Sequence, residues 1–197
     1  MARPKKSDAI DIQDHAVTEV IALLRDGTHT FSLNTIAKKI GCSAPALYAY
    51  FSSKDDLLDH VRQRAFQDLL AQKQSRYETE APSEPIQSLR NGGHYFISFA
   101  QENPNLYRLI FTPDHNSKAT DINVAETLLK PLINGVRNAQ PHALKQGIEA
   151  ESLAYLMWNA VHGAILMAME NNGTFSWGQA YEVVDTVMTL LFPAVPK

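Results

Sequence analysis

The stretch FSLNTIAKKIGCSAPALYAYFSSKDDLL, residues 31–58, decides the fold of the N-terminal part of the chain. Ser32 can cap a helix whose apolar residues recur at helical spacing, and Gly41 can end that helix in a left-handed conformation. Ser43 can cap a second short helix, in which Pro45 is tolerated because first-turn N–H groups are unpaired in any helix. Two short helices around a tight turn predict a helix-turn-helix, which needs support from neighbouring helices because each of the two is short.

Helical periodicity continues on both sides of this stretch, and no alternation of apolar and polar residues calls for a strand. The sequence therefore predicts an all-α chain of about nine helices. Pro131 stands inside an amphipathic segment and is expected to kink or split that helix. The second half of the helix predicted for residues 148–170, MWNAVHGAILMAM, is apolar nearly all round, so we expect it to be covered on all sides.

Length and composition exclude several classes of protein. The chain has 197 residues, of which 45% are hydrophobic and 20% charged, values that do not fit a disordered or collagen-like protein. Its single cysteine, Cys42, excludes a disulfide within the chain and a zinc site built from cysteines. The N-terminus lacks the apolar core of a signal peptide, and no run of about eighteen residues is wholly apolar. We therefore expect a cytoplasmic protein with no membrane partner.

The charge of the chain is distributed unevenly. The formal net charge is −3, but residues 1–54 hold 7 lysines and arginines against 5 acidic residues, and residues 55–197 hold 11 against 16. A polyanion such as DNA attracts clustered cations and repels clustered acids. Only the first quarter of the chain is therefore expected to bind DNA.

Residues 31–58 resemble the DNA-binding domain of the TetR family of transcriptional regulators. The shared features are an Ile-Ala pair in helix two, a Gly-x-Ser turn, a Leu-Tyr-x-(His/Tyr)-Phe pattern in the recognition helix, and a Ser-Lys pair that opens helix four. The resemblance implies a helix-turn-helix DNA-binding domain over residues 1–56. It also implies a helical ligand-binding and dimerisation domain over residues 57–197.

The resemblance further implies which residues meet DNA. A recognition helix lies in the major groove, so its first turn should be slim, and the residues there are small. Carried over residue by residue, the pattern gives Tyr48 and Tyr50 contacts to phosphates or base edges, and Lys54 a phosphate contact. Leu47 and Phe51 are expected to pack inward instead. The complete set of expected DNA-binding residues is Lys38, Ser43, Ala44, Pro45, Ala46, Tyr48, Tyr50 and Lys54.

Each of these residues also has a plainer interpretation. Tyrosines on a short helix more often fill core or surface than bind DNA, and adjacent lysines on a helix usually form a solvated face. Cys42, at the apolar position of the turn, is interpreted as a small buried core residue rather than a redox sensor.

Two patches in the rest of the chain are similar to the subset of TetR proteins whose C-terminal domain is named for a Trp-His-Gly signature. They are FAQENPNLYRLIF, residues 99–111, and WNAVHG, residues 158–163. Trp158 and His162 stand four residues apart and so share a helix face. We interpret His162 as a hydrogen-bonded core histidine rather than a ligand contact, and no second histidine or acid pair stands at metal-ligand spacing around it. We therefore expect neither a metal nor a cofactor.

An effector pocket and a dimer interface are expected in this part of the chain. The pocket should lie between helices five to eight, and because its lining is apolar we expect an uncharged or weakly polar ligand, although these aromatics could also be ordinary core. Small residues around Gly163, namely Ala160, Ala164 and Ala168, would let a second helix approach closely. The resemblance implies a two-fold homodimer through the last two helices, and the alternative is that this surface is monomer core. The predicted pocket lining is Tyr95, Phe99, Tyr107, Phe111, Trp158 and His162.

Together these inferences predict that the chain is a ligand-responsive transcriptional regulator. We expect a homodimeric repressor that binds a near-palindromic double-stranded DNA operator and is released by a small, mostly apolar effector. A DNA-binding dimer without an effector is the first alternative. An enzyme using the C-terminal pocket is a weaker one, because the sequence has no P-loop, no nucleophile elbow, no His-Glu-x-x-His and no dinucleotide fingerprint. The operator sequence, the effector, the regulated genes and the direction of regulation do not follow from the residues.

Overall fold

A computed structural model describes residues 6–28, 30–79, 84–112, 123–139, 147–170 and 173–193. Within those ranges the regular structure is entirely helical, which confirms the all-α prediction. The nine α-helices of these ranges are α1 (Lys6–Arg25), α2 (Leu33–Lys39), α3 (Ala44–Tyr48), α4 (Lys54–Thr79), α5 (Pro85–Glu102), α6 (Pro104–Phe111), α7 (Lys130–Ala139), α8 (Ala150–Glu170) and α9 (Trp177–Leu191).

The helices form two compact units. The first unit comprises Met1–Ala71 and Asn103–Ile122, and the second comprises Gln72–Glu102 and Asn123–Lys197. This division differs from the boundary predicted after residue 56 in two respects. The first unit continues along α4 to Ala71, and α6 belongs to it.

Two side chains tie α6 into the first unit. Asn105 Nδ2 donates to the Leu24 carbonyl at 2.9 Å, which satisfies an acceptor at the C-terminal end of α1. Arg62 Nε on α4 donates to the Leu109 carbonyl at 2.6 Å. The partners are separated by 81 and 47 residues, so no local pattern in the sequence reveals them.

Gly93 allows α5, α8 and α9 to approach one another in the second unit. A Cβ atom built at Gly93 would lie 2.8 Å from Cγ1 of the buried Val184 on α9 and 3.6 Å from Val161 on α8. Gly163, where the sequence predicts close approach of a helix, has no described atom within 4 Å of such a Cβ. Ala164 and Ala168 are buried. Within one chain, therefore, Ala164 and Ala168 pack inward, Ala160 is half-buried and Gly163 faces outward.

Replacing Gly93 with alanine is expected to destabilise the second unit by overpacking against Val184. The matched control is Gly178→Ala on α9, because a Cβ there would meet only Ser176 Oγ, at 3.7 Å. Both changes raise helix propensity, so we expect the free energy of unfolding of Gly93→Ala to fall about 1 to 3 kcal/mol below that of the control. Urea-induced unfolding followed by circular dichroism measures the difference. Equal stability of the two variants would show that Val184 moves aside without cost.

A π turn, Ala125–Leu129, runs directly into α7. Pro131, in the first turn of α7, lacks the N–H that would bond the Thr127 carbonyl in a continuous α-helix. A wider turn just ahead of the proline is a common way to fit an irregular hydrogen-bond ladder inside a helix. The effect predicted for Pro131 is thus a change of winding within one helical segment, not a break.

The length and apolar composition of α8 would allow it to cross a membrane, with a mean hydropathy of 1.3. Within the second unit it packs against α5, α7 and α9. Tyr155, Leu156 and Met167 nevertheless remain 48%, 52% and 53% exposed. The expectation that this helix is covered on all sides is therefore not met within one chain.

Candidate DNA-binding surface and effector cavity

Capping groups and one backbone bond hold the turn between α2 and α3. Ser32 Oγ accepts a hydrogen bond from the Thr35 N–H at 3.1 Å at the start of α2. Gly41 has a φ of +75°, the left-handed conformation that glycine adopts without steric cost. The Cys42 N–H donates to the Ala37 carbonyl at 2.9 Å. These interactions fix the direction in which α3 leaves α2.

The recognition helix α3 is anchored on one side and exposed on the other. Ser43 Oγ caps it by accepting from the Ala46 N–H at 3.3 Å, and Pro45 occupies its first turn. Ser43 and Pro45 are exposed and Tyr48 is 50% exposed, whereas Leu47 is fully buried. This is the arrangement that a helix needs if it is to enter a major groove.

The other residues predicted on or near α3 differ in exposure. Ala44, Ala46 and Tyr50 are half-buried. Phe51 is fully buried and meets the ring of His60 edge-on at 5.2 Å between centroids. The inward packing expected of Phe51 is therefore observed, and Tyr50 has less surface available for DNA than Tyr48 has.

Lysines flank α3 on the two neighbouring helices. Lys54 begins α4, where its Nζ lies 4.4 Å from the centroid of the Phe31 ring, a cation–π distance. Lys38 is exposed and makes no ion pair with any described residue, whereas Lys39 Nζ binds Glu19 at 2.7 Å. Lys38 and Lys54 are therefore better placed than Lys39 to give their charge to a phosphate.

Ser53, the serine of the Ser-Lys pair, caps the start of α4. Ser53 Oγ accepts from the Asp56 N–H at 3.1 Å, and the Asp56 carboxylate accepts from the Ser52 N–H at 2.7 Å. This reciprocal pair satisfies two backbone donors of the helix start. It also fixes the backbone from which Lys54 projects.

Cys42 behaves as a packing residue. It is half-buried, and burial raises the pKa of its thiol. A raised pKa lowers the thiolate fraction on which redox reactivity depends. Cys42 is thus less buried than the core residue that the sequence predicts, and its raised pKa does not favour a redox role.

Trp158 and His162 form part of an aromatic cluster in the second unit. Their rings stack with centroids 4.9 Å apart, and Phe96 meets Trp158 edge-on at 5.5 Å. Burial lowers the pKa of His162 to about 4, so the imidazole is neutral at neutral pH. The shared helix face predicted for Trp158 and His162 is thus observed, and His162 has the protonation state of a core residue.

A cavity of about 420 Å³ lies in the second unit. Its lining combines two cations and other polar groups with two tyrosine rings, and of the six residues predicted to line a pocket it includes only Tyr95. We call it the effector cavity, as the candidate site for a small molecule. Its lining residues are Lys73, Arg76, Asn91, His94, Tyr95, Ser98 and Tyr181.

The two cations of the effector cavity come from the last part of α4. The apolar positions of that helix advance in steps of four, through Leu57, Val61, Ala65 and Leu69, all of them buried. One more step reaches Lys73, which is half-buried and lines the cavity. Extending the apolar stripe past its last hydrophobic residue would have predicted an inward-facing lysine.

Two of the predicted pocket residues belong to the first unit. Tyr107 is fully buried there, and its ring centroid lies 4.7 Å from that of Phe111. Phe111 also meets Phe66 edge-on at 6.5 Å. Burial raises the pKa of Tyr107. Phe99 lies in the second unit and is buried.

An ion-pair cluster borders the effector cavity. Asp185 on α9 accepts from Arg90 at 2.6 Å and lies 3.1 Å from His94 Nε2. The His94 nitrogen is buried and has no well-aligned hydrogen bond to a described atom, and the His94 ring meets Tyr181 edge-on at 5.2 Å. Burial raises the pKa values of Tyr95 and Tyr181. A cation, Arg90, and an anion, Asp185, thus lie next to the His94 imidazole at this edge of the cavity.

The parts of the chain that the structure describes contain no group of three or more histidine, cysteine, aspartate or glutamate residues able to hold a metal ion.

Comparison with known proteins assigns both halves of the chain to one family. Residues 22–61 match the model described as bacterial regulatory proteins, tetR family. Residues 89–191 match the model described as a tetracyclin repressor-like C-terminal domain, and this match alone covers more than half of the chain.

The relatives matched over part of the chain are transcriptional regulators. The HTH-type transcriptional activator FasR of Mycolicibacterium smegmatis is 34% identical over 89 residues, which make up 45% of this chain and 40% of FasR. The HTH-type transcriptional regulator AcrR of Shigella flexneri is 28% identical over 91 residues, 46% of this chain and 42% of AcrR. The matched stretch thus spans about two fifths of the length of these curated relatives.

Solved structures share the fold along nearly the whole chain. A protein of unknown function from Rhodococcus sp. RHA1 has a TM-score of 0.74 at 20% identity and covers 92% of this chain and 95% of its own. The complex of SmeT with triclosan has a TM-score of 0.70 at 18% identity, with coverage of 94% and 95%. A putative transcriptional regulator from Saccharomonospora viridis in complex with choline has a TM-score of 0.73 at 14% identity, with coverage of 95% and 99%. These likenesses show the fold, and the two family models show that the chain belongs to the TetR family of DNA-binding transcriptional regulators.

Proposed function

We propose that this protein is a homodimeric repressor that leaves a near-palindromic operator when a small molecule enters the effector cavity. The observation that carries the proposal is the cavity itself, whose volume of about 420 Å³ lies within the range typical of small-molecule sites. The structures of two fold relatives are titled as complexes, one with triclosan and one with choline, which also supports a ligand.

The proposed operator contacts follow from exposure and charge on the first unit. Tyr48 projects from the exposed side of α3, and Ser43 and Pro45 stand at its exposed start. Lys38 and Lys54 flank the helix and would bind phosphates, which position the protein without reading sequence. The proposed contact residues are Lys38, Ser43, Ala44, Pro45, Ala46, Tyr48, Tyr50 and Lys54.

Dimerisation through α8 and α9 is proposed from their uncovered apolar surface. Tyr155, Leu156, Met167 and Leu190 are each about half exposed or more. Gly163, on the exposed side of α8, has no described atom near it and would let a partner helix lie close. A two-fold axis through this surface would pair two recognition helices for half-sites about one DNA turn apart.

Release of the operator is proposed to be a linked equilibrium. A ligand that binds the DNA-incompetent state of the dimer more tightly lowers operator affinity by its differential affinity for the two states. Selecting bound fragments from a library of the source genome, and measuring their affinity against salt, tests operator binding. A palindromic fragment bound far above background supports the proposal, and adding candidate ligands to that complex tests release. A ligand that strengthens operator binding, or binding that is weak for all sequences, would contradict it.

Alanine substitutions at Tyr48 and Lys54 are expected to weaken operator binding while the fold and the dimer stay intact. Loss of a phosphate contact at Lys54 should also reduce the slope of log affinity against log salt by about one unit. Lys130→Ala is the matched control, because Lys130 is exposed and lies in the second unit. Fluorescence anisotropy with the selected fragment measures both quantities. Unchanged affinity in both variants would reject the contact assignment.

Met167→Glu is expected to dissociate the dimer, because it places a charge in the centre of the proposed interface. Gly163→Leu is expected to do the same by overpacking, with little effect on the monomer, since no described atom lies within 4 Å of a Cβ built there. Ala125→Glu, at an exposed position of the π turn, is the control. Sedimentation velocity reports the oligomeric state. Dimers that survive both interface changes would assign this surface to another role.

A further inference from the structure

We propose that the effector cavity takes a small organic anion, a carboxylate whose remaining part is aromatic or apolar. The inference rests on the proposed function, because it names the chemical class of the effector. It also departs from the uncharged ligand that the sequence predicts, since that prediction assumed an apolar lining.

The charges around the cavity favour an anion. Lys73 and Arg76 line it, and its lining contains no aspartate or glutamate among the described residues. Asp185, next to the cavity, already binds Arg90 at 2.6 Å. Glu102 acts electrostatically on both tyrosines of the cavity but is itself exposed to water, which screens its charge.

An aromatic ring lies beside each of the two lining cations, and Lys73 is half-buried whereas Arg76 is exposed. Lys73 Nζ lies 5.3 Å from the centroid of the Phe96 ring, and the Arg76 guanidinium lies 6.0 Å from that of Tyr95. Burial lowers the pKa of Lys73, and desolvation is the cause of that change. An ammonium group held in such surroundings gains more from an anion than one in water does. A carboxylate that reaches Lys73 would therefore form a charge-assisted hydrogen bond in a favourable environment.

The rest of the lining suits a flat ring with few polar substituents. Tyr95 and Tyr181 present aromatic rings, and Asn91 and Ser98 offer hydrogen-bonding groups near them. The volume of about 420 Å³ sets an upper size, which a one- or two-ring acid meets. The expected ligand thus has one anionic group, an apolar ring and room for a small polar substituent.

Titration calorimetry on the full chain tests the proposal with three acids and their uncharged primary amides. The acids are benzoate, phenylacetate and 2-naphthoate, and each amide matches its acid in shape. We expect at least one acid to bind more than about tenfold tighter than its amide. Lys73→Met keeps the aliphatic stem over Phe96 and is expected to weaken that acid about tenfold while leaving the amide unchanged. Lys130→Met, which removes a distant charge, should leave both unchanged.

A second variant keeps the proposal testable if a substitution at the half-buried Lys73 prevents folding. Arg76→Gln lies at an exposed site, and it should weaken the acid several-fold while the circular dichroism spectrum stays that of the wild type. The proposal is overturned if amides bind as tightly as acids, if neither variant affects the acid, or if no acid binds at 1 mM. Acid binding without operator release would instead contradict the proposed function and keep this inference. If only a neutral ligand releases the operator, the proposed function is kept and this inference is contradicted.

Discussion

Replacing Arg62 with methionine is expected to lower the free energy of unfolding by about 3 to 5 kcal/mol, the cost of breaking a buried ion pair. The Arg62 side chain is 5% exposed, and its Nη1 lies 2.9 Å from Asp59 Oδ1. Its Nε donates to the Leu109 carbonyl at 2.6 Å, which joins α4 to α6 inside the first unit. Methionine fills similar space but leaves the carboxylate and the carbonyl without this donor. Urea-induced unfolding of the purified chain measures the loss.

Arg64→Met is the matched control for this prediction, two residues further along the same helix. Arg64 contacts two carboxylates, Asp14 at 2.9 Å and Asp68 at 3.2 Å, so it too is held by ion pairs. Its side chain is 45% exposed, and exposed pairs contribute about 0 to 1 kcal/mol. We therefore expect a loss below about 1 kcal/mol. Equal losses in the two variants would mean that burial does not set the strength of these pairs.

Local signals in the sequence predict the helices and their caps. Ser32, Ser43 and Ser53 each begin a helix as expected, and Gly41 adopts the left-handed conformation at the turn. Such signals act within four or five residues, so they can be recognised in the sequence without knowledge of tertiary contacts. For the same reason the burial of Leu47, next to an exposed Tyr48, follows from helical spacing alone.

The position of α6 cannot be obtained from local patterns. The aromatics Tyr107 and Phe111 read as pocket residues because they follow the predicted helix five, yet they pack in the first unit. The groups that hold α6 there are polar side chains bonded to backbone carbonyls far away in sequence. A backbone carbonyl exists at every residue, so nothing in the amino-acid types marks the one that a distant arginine will choose.

The lining of the effector cavity was not predicted from the sequence for a different reason. Hydrophobic periodicity counts lysine as polar and ends the buried stripe of α4 at Leu69, whereas the inward face continues to Lys73. The long aliphatic stem of lysine can lie along apolar surface while its ammonium group reaches a polar space. At this cavity the strict separation of polar and apolar residues fails.

Lowering the pH from 7 to 4 is expected to destabilise the protein by about 2 to 3 kcal/mol through His162 alone. Burial depresses the pKa of His162 to about 4, whereas an unfolded histidine has a pKa near 6.5. Between these values the unfolded chain binds the proton and the folded chain does not, so stability is full above pH 6.5 and falls as the pH drops toward 4. Each unit of difference between the folded and unfolded pKa corresponds to about 1.4 kcal/mol of stability. The expected total is set somewhat below the full product because the His162 ring is only partly buried.

His162→Gln isolates this contribution, because glutamine does not titrate. The free energy of unfolding is measured in urea at pH 7.5, 6.0 and 4.5 for the wild type and the variant, and carboxylates common to both cancel in the difference. We expect the wild type to lose about 2 kcal/mol more than His162→Gln across this range. His15→Gln, at an exposed histidine of α1, is the control for the loss of an imidazole as such. If the His162→Gln curve is parallel to that of the wild type, the folded chain binds the His162 proton as readily as the unfolded chain does. At acidic pH the stack on Trp158 is then a contact between a cation and a ring and not between two neutral rings.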